Sequence, residues 1–141
     1  MIEKIVHNNL LMALIVKHTY NENGIHFFTP DDFSQQLAFM RHDVGKMIDP
    51  HVHNPVKREV HFTKEVLIIR KGKLRIDFYT EKQKYIKSRI LQAGDVILLS
   101  EGGHGFEVLE ELEMFEIKQG PYAGDMDKTR FKPPVGNLNF D

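Results

Sequence analysis

The segment EVLIIRKGKLRIDFY, Glu65 to Tyr79, decides the fold class. Its halves, VLIIR and KLRIDFY, are rich in β-branched and aromatic residues. They flank Lys71-Gly72, a pattern that predicts a β-hairpin. Side chains alternate along a strand, so Glu65, Leu67 and Ile69 share one face and Val66 and Ile68 the other. The first face reads as a barrel interior. The second reads as the sheet's outside or a subunit contact, and an apolar outer face on a small β-domain favours a homodimer.

Outward from this segment the same signals recur. Residues 1–9 read as a frayed start. LLMALIVKH, 10–18, reads as a strand, and TYNENG, 19–24, as a turn with Asn23-Gly24 as its hairpin signal. IHFFTP gives a second strand, ended by Pro30. A short helical turn is expected near residues 31–36, capped by Thr29 or Asp31, followed by a strand in QLAFMRH and a turn at 42–45. KMIDPHVH, 46–53, reads as a strand with Pro50 marking an edge or bulge. NPVKREVHFTK, 54–64, reads as a polar excursion. A strand begins at Tyr85 and Ile86, VILLS lies between turns at 93–95 and 101–103, and LEMFEIKQ, 112–119, is the last strand. Many short strands with turn signals between them predict an all-β sandwich or barrel in a single domain, 1–141.

Composition narrows the function classes. A net charge of −1 gives no electrostatic case for nucleic acid or an anionic membrane surface. The apolar run Leu10–Val16 is too short to span a bilayer, and no cleavage-site pattern follows it, so no membrane role and no signal peptide are expected. With no cysteine there are no disulfides and no thiolate metal sites. That agrees with an expected cytoplasmic location.

The chemistry concentrates in histidine and one carboxylate. His51 and His53, in His-x-His, face the same way if their segment is a strand. Glu65 opens the next strand, and His104 follows VILLS in GGHGF. Imidazole nitrogens with a carboxylate suit Zn²⁺, Fe²⁺, Mn²⁺, Ni²⁺ or Co²⁺. Glu59 or His61 is an alternative to Glu65.

These spacings resemble the two motifs of the cupin superfamily. Gly45 is followed by KMIDP and then His51-x-His53; Glu65 is followed by VLIIRK and then Gly72. The second motif appears as Gly94-Asp95, VILLSEGG, then His104. The gap from His53 to Glu65 is longer than is usual in the superfamily, and Ser100-Glu101-Gly102-Gly103 stands where a proline usually precedes the histidine. The resemblance implies a double-stranded β-helix, or cupin jelly roll. Its core would run over about 34–118, with N-terminal strands in 10–30 and a C-terminal tail at 120–141. It also implies one divalent metal held by His51, His53, Glu65 and His104. The run Glu116, Lys118, Gly120, Pro121, Tyr122, with Asp127-Lys128 beyond it, is similar to a WbuC-type group of small cupin-fold metalloproteins. Some members of that group are linked to surface-polysaccharide gene clusters.

The resemblance implies a metal protein acting on a small sugar-related or organic-acid substrate. Two other readings stand beside it. One is a non-catalytic module that binds a small ligand, with Lys118, Arg41 and Arg70 as charge partners. The other is a metal-free cupin epimerase or isomerase, with His51, His53 or His104 as general base. The catalytic residues are unassigned.

Overall fold

A computed structural model describes residues 1–133 and 136–141. It contains eight strands: β1 (Ile2–His7), β2 (Leu10–Val16), β3 (Gly24–Phe27), β4 (Ala38–Arg41), β5 (Glu65–Tyr79), β6 (Tyr85–Gln92), β7 (Val96–Leu99) and β8 (Gly103–Lys118). One turn of 3-10 helix follows at Gly124–Asp127. The chain forms two compact units, one of Met1–Tyr20 with Thr63–Asp141, the other of Asn21–Phe62.

The larger unit is a six-stranded sheet in the order β1-β2-β7-β5-β6, with β8 also paired to β5. Every pairing is antiparallel. The sheet is curled into a half-barrel, which bears out an all-β fold. Its inner face is apolar: Ile5, Ala13, Ile15, Leu67, Ile69, Leu74, Ile76, Phe78, Leu91, Ile97 and Leu99 form one buried cluster. Burying each such side chain contributes roughly 1.5–3 kcal/mol. Leu67 and Ile69 lie inside, as alternation requires. Val66, on the opposite face, is also buried, along with Leu14 and Leu98 beside it in register. Some of the apolar face that the sequence offers to a partner is therefore covered within the chain.

The expected hairpin at Lys71-Gly72 is not there. Glu65–Tyr79 is one long strand. Its first part pairs with β7 at Glu65–Ile68, its last part pairs with β6 at Lys73–Tyr79, and β8 runs along both. Gly72 has φ +88°, and the β5–β8 register shifts between Ile69 and Leu74. An irregularity of this kind bends a strand without ending it. Gly72 is needed twice over: its φ is left-handed, and a Cβ there would collide with the Glu111 carbonyl of β8. Across this bend run exposed ion pairs, Arg70–Glu113, Lys71–Glu111 at 3.3 Å, Lys73–Glu110 at 3.2 Å and Arg75–Glu107. Pairs this exposed are worth about 0.2–1 kcal/mol each, so the core holds the sheet and the charges favour one register.

Four further expectations are corrected. Residues 2–7 are not frayed but form β1, joined to β2 by a turn at Asn8 and Asn9, both at positive φ, which asparagine tolerates. In the smaller unit, β3 and β4 form a two-stranded hairpin, so Asn23-Gly24 does not join β2 to β3 as partners. Residues 31–36 make turns and bends rather than a helical turn. There the Gln36 amide donates to the carbonyls of Pro30 and Phe33 at 2.9 Å, occupying acceptors that a helix would use itself. Residues 46–53 are likewise not a strand. They belong to an irregular, exposed stretch with no sheet partner, in which Met47 and Val52 stand in solvent.

Two side-chain clusters fasten the larger unit. Asp77 is buried, chelated by Arg75 at 2.9 and 3.0 Å, and accepts from Ser88; the Asn139 backbone N–H donates to Tyr85, which meets Ser88. The end of the chain is thus tied to β6. Asp95, fully buried at its side chain, accepts the N–H groups of His18 at 2.8 Å and Gln92 at 2.9 Å, meets the His18 ring at 2.9 Å and pairs with Lys17 at 3.4 Å. Burial alone would raise its pKa. The Gln92 and His18 hydrogen bonds outweigh that and hold it below the usual carboxylate value. Among the described residues, no helix is long and apolar enough to cross a membrane.

Two outcomes follow. Gly72→Ala should destabilise the fold by at least about 2 kcal/mol in urea unfolding, since strain and a backbone collision act together. The Asp95 contribution to stability is present above the unfolded carboxylate pKa of about 3.9 and lost as pH falls through the lower folded value. Asp95→Asn should therefore cost stability at pH 7 and little at the acid end of a pH series. Equal losses at both ends would show that the charge is not what stabilises.

Candidate functional site

Glu65 is the first residue of β5, and His104 the second of β8. In the β5–β8 ladder Glu65 lies opposite Lys118, while His104 lies opposite Phe78. A straight strand from position 65 to 78 would separate these ends by about 43 Å at roughly 3.3 Å per residue. In the structure His104 Nε2 is 3.8 Å from Glu65 Oε2. The bend around Gly72 brings the two ends of the paired strands together. The separation is too long for a hydrogen bond, yet shorter than two metal–ligand bonds of about 2.0–2.2 Å laid end to end. An imidazole and a carboxylate facing in this way fit a divalent cation by donor chemistry.

Glu65 is buried, and the His104 side chain is partly exposed. Glu116 joins them from β8, where it stands opposite Leu67 and so on the inner face. Burial raises the Glu65 pKa first, and its hydrogen bond to Glu116 and the charge of that group raise it further, with Lys118 and Lys128 opposing. Burial also works against the charged form of Glu116. Its hydrogen bonds to Lys118 and Glu65 win, and its pKa is lowered. Lys118 Nζ lies 3.2 Å from Glu116 Oε1. Of the two carboxyl groups, Glu65 is therefore the one more easily protonated. His104 is lowered by burial first and by the charge of Lys128 next, so its ring is neutral at neutral pH. It stacks on Phe106, with ring centroids 5.4 Å apart.

His51 and His53 lie in the smaller unit, exposed on irregular chain. They are adjacent even without a strand: their rings meet edge to face at 5.2 Å. His51 Nδ1 is 2.9 Å from the Asp49 carbonyl, which only accepts, so Nδ1 carries the hydrogen and Nε2 keeps its lone pair. The alternatives Glu59 and His61 are in this unit too, 3.8 Å from each other. Each unit therefore holds one pair of the four expected ligands. Within either unit, no group of three or more His, Asp or Glu gathers as a metal site among the described residues.

Other candidates sort by their contacts. Arg70 is taken up by Glu113 and by the ring of Phe115, 5.1 Å away, and Arg41 donates to the Asn21 carbonyl. Gln119, Tyr122, Asp127 and Lys128 line a small pocket with Lys118. Glu116 was not among the expected ligands. Its signal was available in the strand alternation of LEMFEIKQ, which puts it on the face of Met114 and Lys118. Comparison with family models, with curated proteins and with solved structures finds no match to this chain.

The charge balance gives a direct test. In an NMR titration, His104 should have its midpoint below the free-imidazole value of about 6.5, and Lys128→Ala should move it upward. A wild-type midpoint above that value, or no response to the substitution, would contradict the arrangement described.

Proposed function

We propose that this chain is a cupin-type protein that binds one divalent metal ion. Glu65 and His104 are its donors in the larger unit, and His51 and His53 are the imidazole pair that the cupin resemblance adds. The observation that carries this is the convergence of Glu65 and His104. They are distant along the paired strands and are picked out independently by motif spacing. The all-β half-barrel is compatible with a double-stranded β-helix, and in this reading the protein acts as a homodimer on a small sugar-related or organic-acid substrate. A bound cation would supply Lewis-acid or, if redox-active, electron-transfer chemistry. The chain's own groups have separable tasks. Glu65 and the neutral His104 offer lone pairs, and Glu116 keeps a carboxylate beside them.

A second reading has its own support. Glu65, its pKa raised by burial and by Glu116, next to a neutral imidazole and two lysines, is an acid–base set that needs no metal. In a metal-free isomerase or epimerase, His104 would accept a proton and Glu65 donate one.

Elemental analysis of untreated protein separates the two. The metal reading expects about one divalent ion per chain. His104→Ala and Glu65→Gln should each weaken its binding at least tenfold, and His51→Ala and His53→Ala should do likewise, whereas His61→Ala should not. Binding should also weaken as pH falls, because protons compete for Glu65 and His104. Metal retained unchanged in His104→Ala would overturn the assignment.

A further inference from the structure

As it leaves β8 the chain crosses a cis Gly120–Pro121 bond and turns through the 3-10 helix. It forms a shallow, mostly polar pocket of about 90 Å³ within the larger unit. A volume of this size admits a carboxylate or phosphate group. Lys118, Lys128 and Arg130 line it, together with Asp125, Asp127 and Thr63. The acidic groups are already engaged: Asp125 with Arg130 at 3.4 Å, and Asp127 with the Thr63 hydroxyl. Lys118 is shared with Glu116. Lys128 has no ion-pair partner among the described residues, and it lies close enough to Lys118 for the two side chains to interact. Both ammonium groups line the same pocket, so one bound oxyanion can accept charge-assisted hydrogen bonds from each. Beside them Tyr122 stands 93% exposed, an unused aromatic face at the rim.

We propose that this pocket binds the oxyanion end of a small organic acid or sugar phosphate. The charged group would sit between Lys128 and Lys118, and the body of the molecule would lie along Tyr122. The proposal names a ligand class for the metal protein proposed above and rests on that reading only for the identity of the neighbouring centre. Lys118 and Lys128 both act on Glu65. An anion between them offsets positive charge that opposes a cation there, so the two ligands should favour each other's binding.

The test uses metal-free full-length protein titrated with inorganic phosphate and, separately, with glucuronate, followed by calorimetry and by Tyr122 ring resonances. Both probes should bind with millimolar or tighter affinity and shift Tyr122. Lys128→Ala should weaken binding at least tenfold, while Lys128→Arg, which keeps the charge, should stay within about threefold. A preference for glucuronate over phosphate identifies a carboxylate ligand, and the reverse identifies a phosphate. Unchanged affinity in Lys128→Ala, no binding of either probe by wild type, or binding without a Tyr122 response overturns the proposal. The two readings fail separately. Anion binding by a protein that holds no metal sinks the metal centre alone, and metal binding by a protein that takes neither anion sinks the pocket alone.

Discussion

The bend of β5 and β8 at Gly72 is the constraint on which the larger unit depends. Antiparallel pairing alone would hold Glu65 and His104 at opposite ends of a long ladder. The curl converts that ladder into a wall whose two ends face each other, and the buried apolar cluster on its inner face keeps the curl closed. Glycine is required because the crossing strand passes where a side chain would begin. A local backbone condition, set by one residue without a Cβ, thereby places two polar groups that sequence separates widely.

What those groups can do is governed by burial against charge. An isolated buried carboxylate is costly, and the structure answers that cost unevenly. Glu116 is stabilised as an anion by Lys118, and the Glu65 pKa is raised. His104, partly buried and facing the field of Lys128, remains neutral. The result is two carboxyl groups of unequal acidity and one imidazole lone pair close together, with lysines at the margin.

The legible parts of the sequence were those where one residue type had one physical use. The β-branched Ile15 and Val16 and the following turn marked β2, Tyr85 and Ile86 marked the start of β6, and VILLS between its turns marked β7. Glu65 and His104 stood out through their spacing from Gly72 and Gly94. The misread parts are equally specific. Lys71-Gly72 carries hairpin chemistry, but a glycine at positive φ also serves a bulge, and only the pairing partners of the two halves distinguish them. The Asn8-Asn9 turn was missed because a short amphipathic strand at a chain end has too little pattern to outweigh fraying. The segment around His51 alternates enough to resemble a strand, yet it has no neighbour to complete its hydrogen bonds, and the backbone stays irregular.

The lysines decide how the two functional readings relate. In the metal reading, a cation beside Glu65 would compete with protons for a carboxylate whose pKa is raised, and would have to tolerate Lys118 and Lys128. Nearby positive charge favours ionised Glu65, which releases its proton more readily, but the same charge repels the incoming ion. The two effects have opposite signs on metal affinity, and burial magnifies both. An anion in the adjoining pocket changes only the second, since it screens the ammonium groups from the cation while Glu116 still holds its own hydrogen bonds. In the metal reading, a centre balanced in this way would be weak toward metal alone and stronger toward metal with an acidic ligand, whereas in the metal-free reading the acid–base pair would gain nothing from a cation and would use the same lysines to hold its substrate.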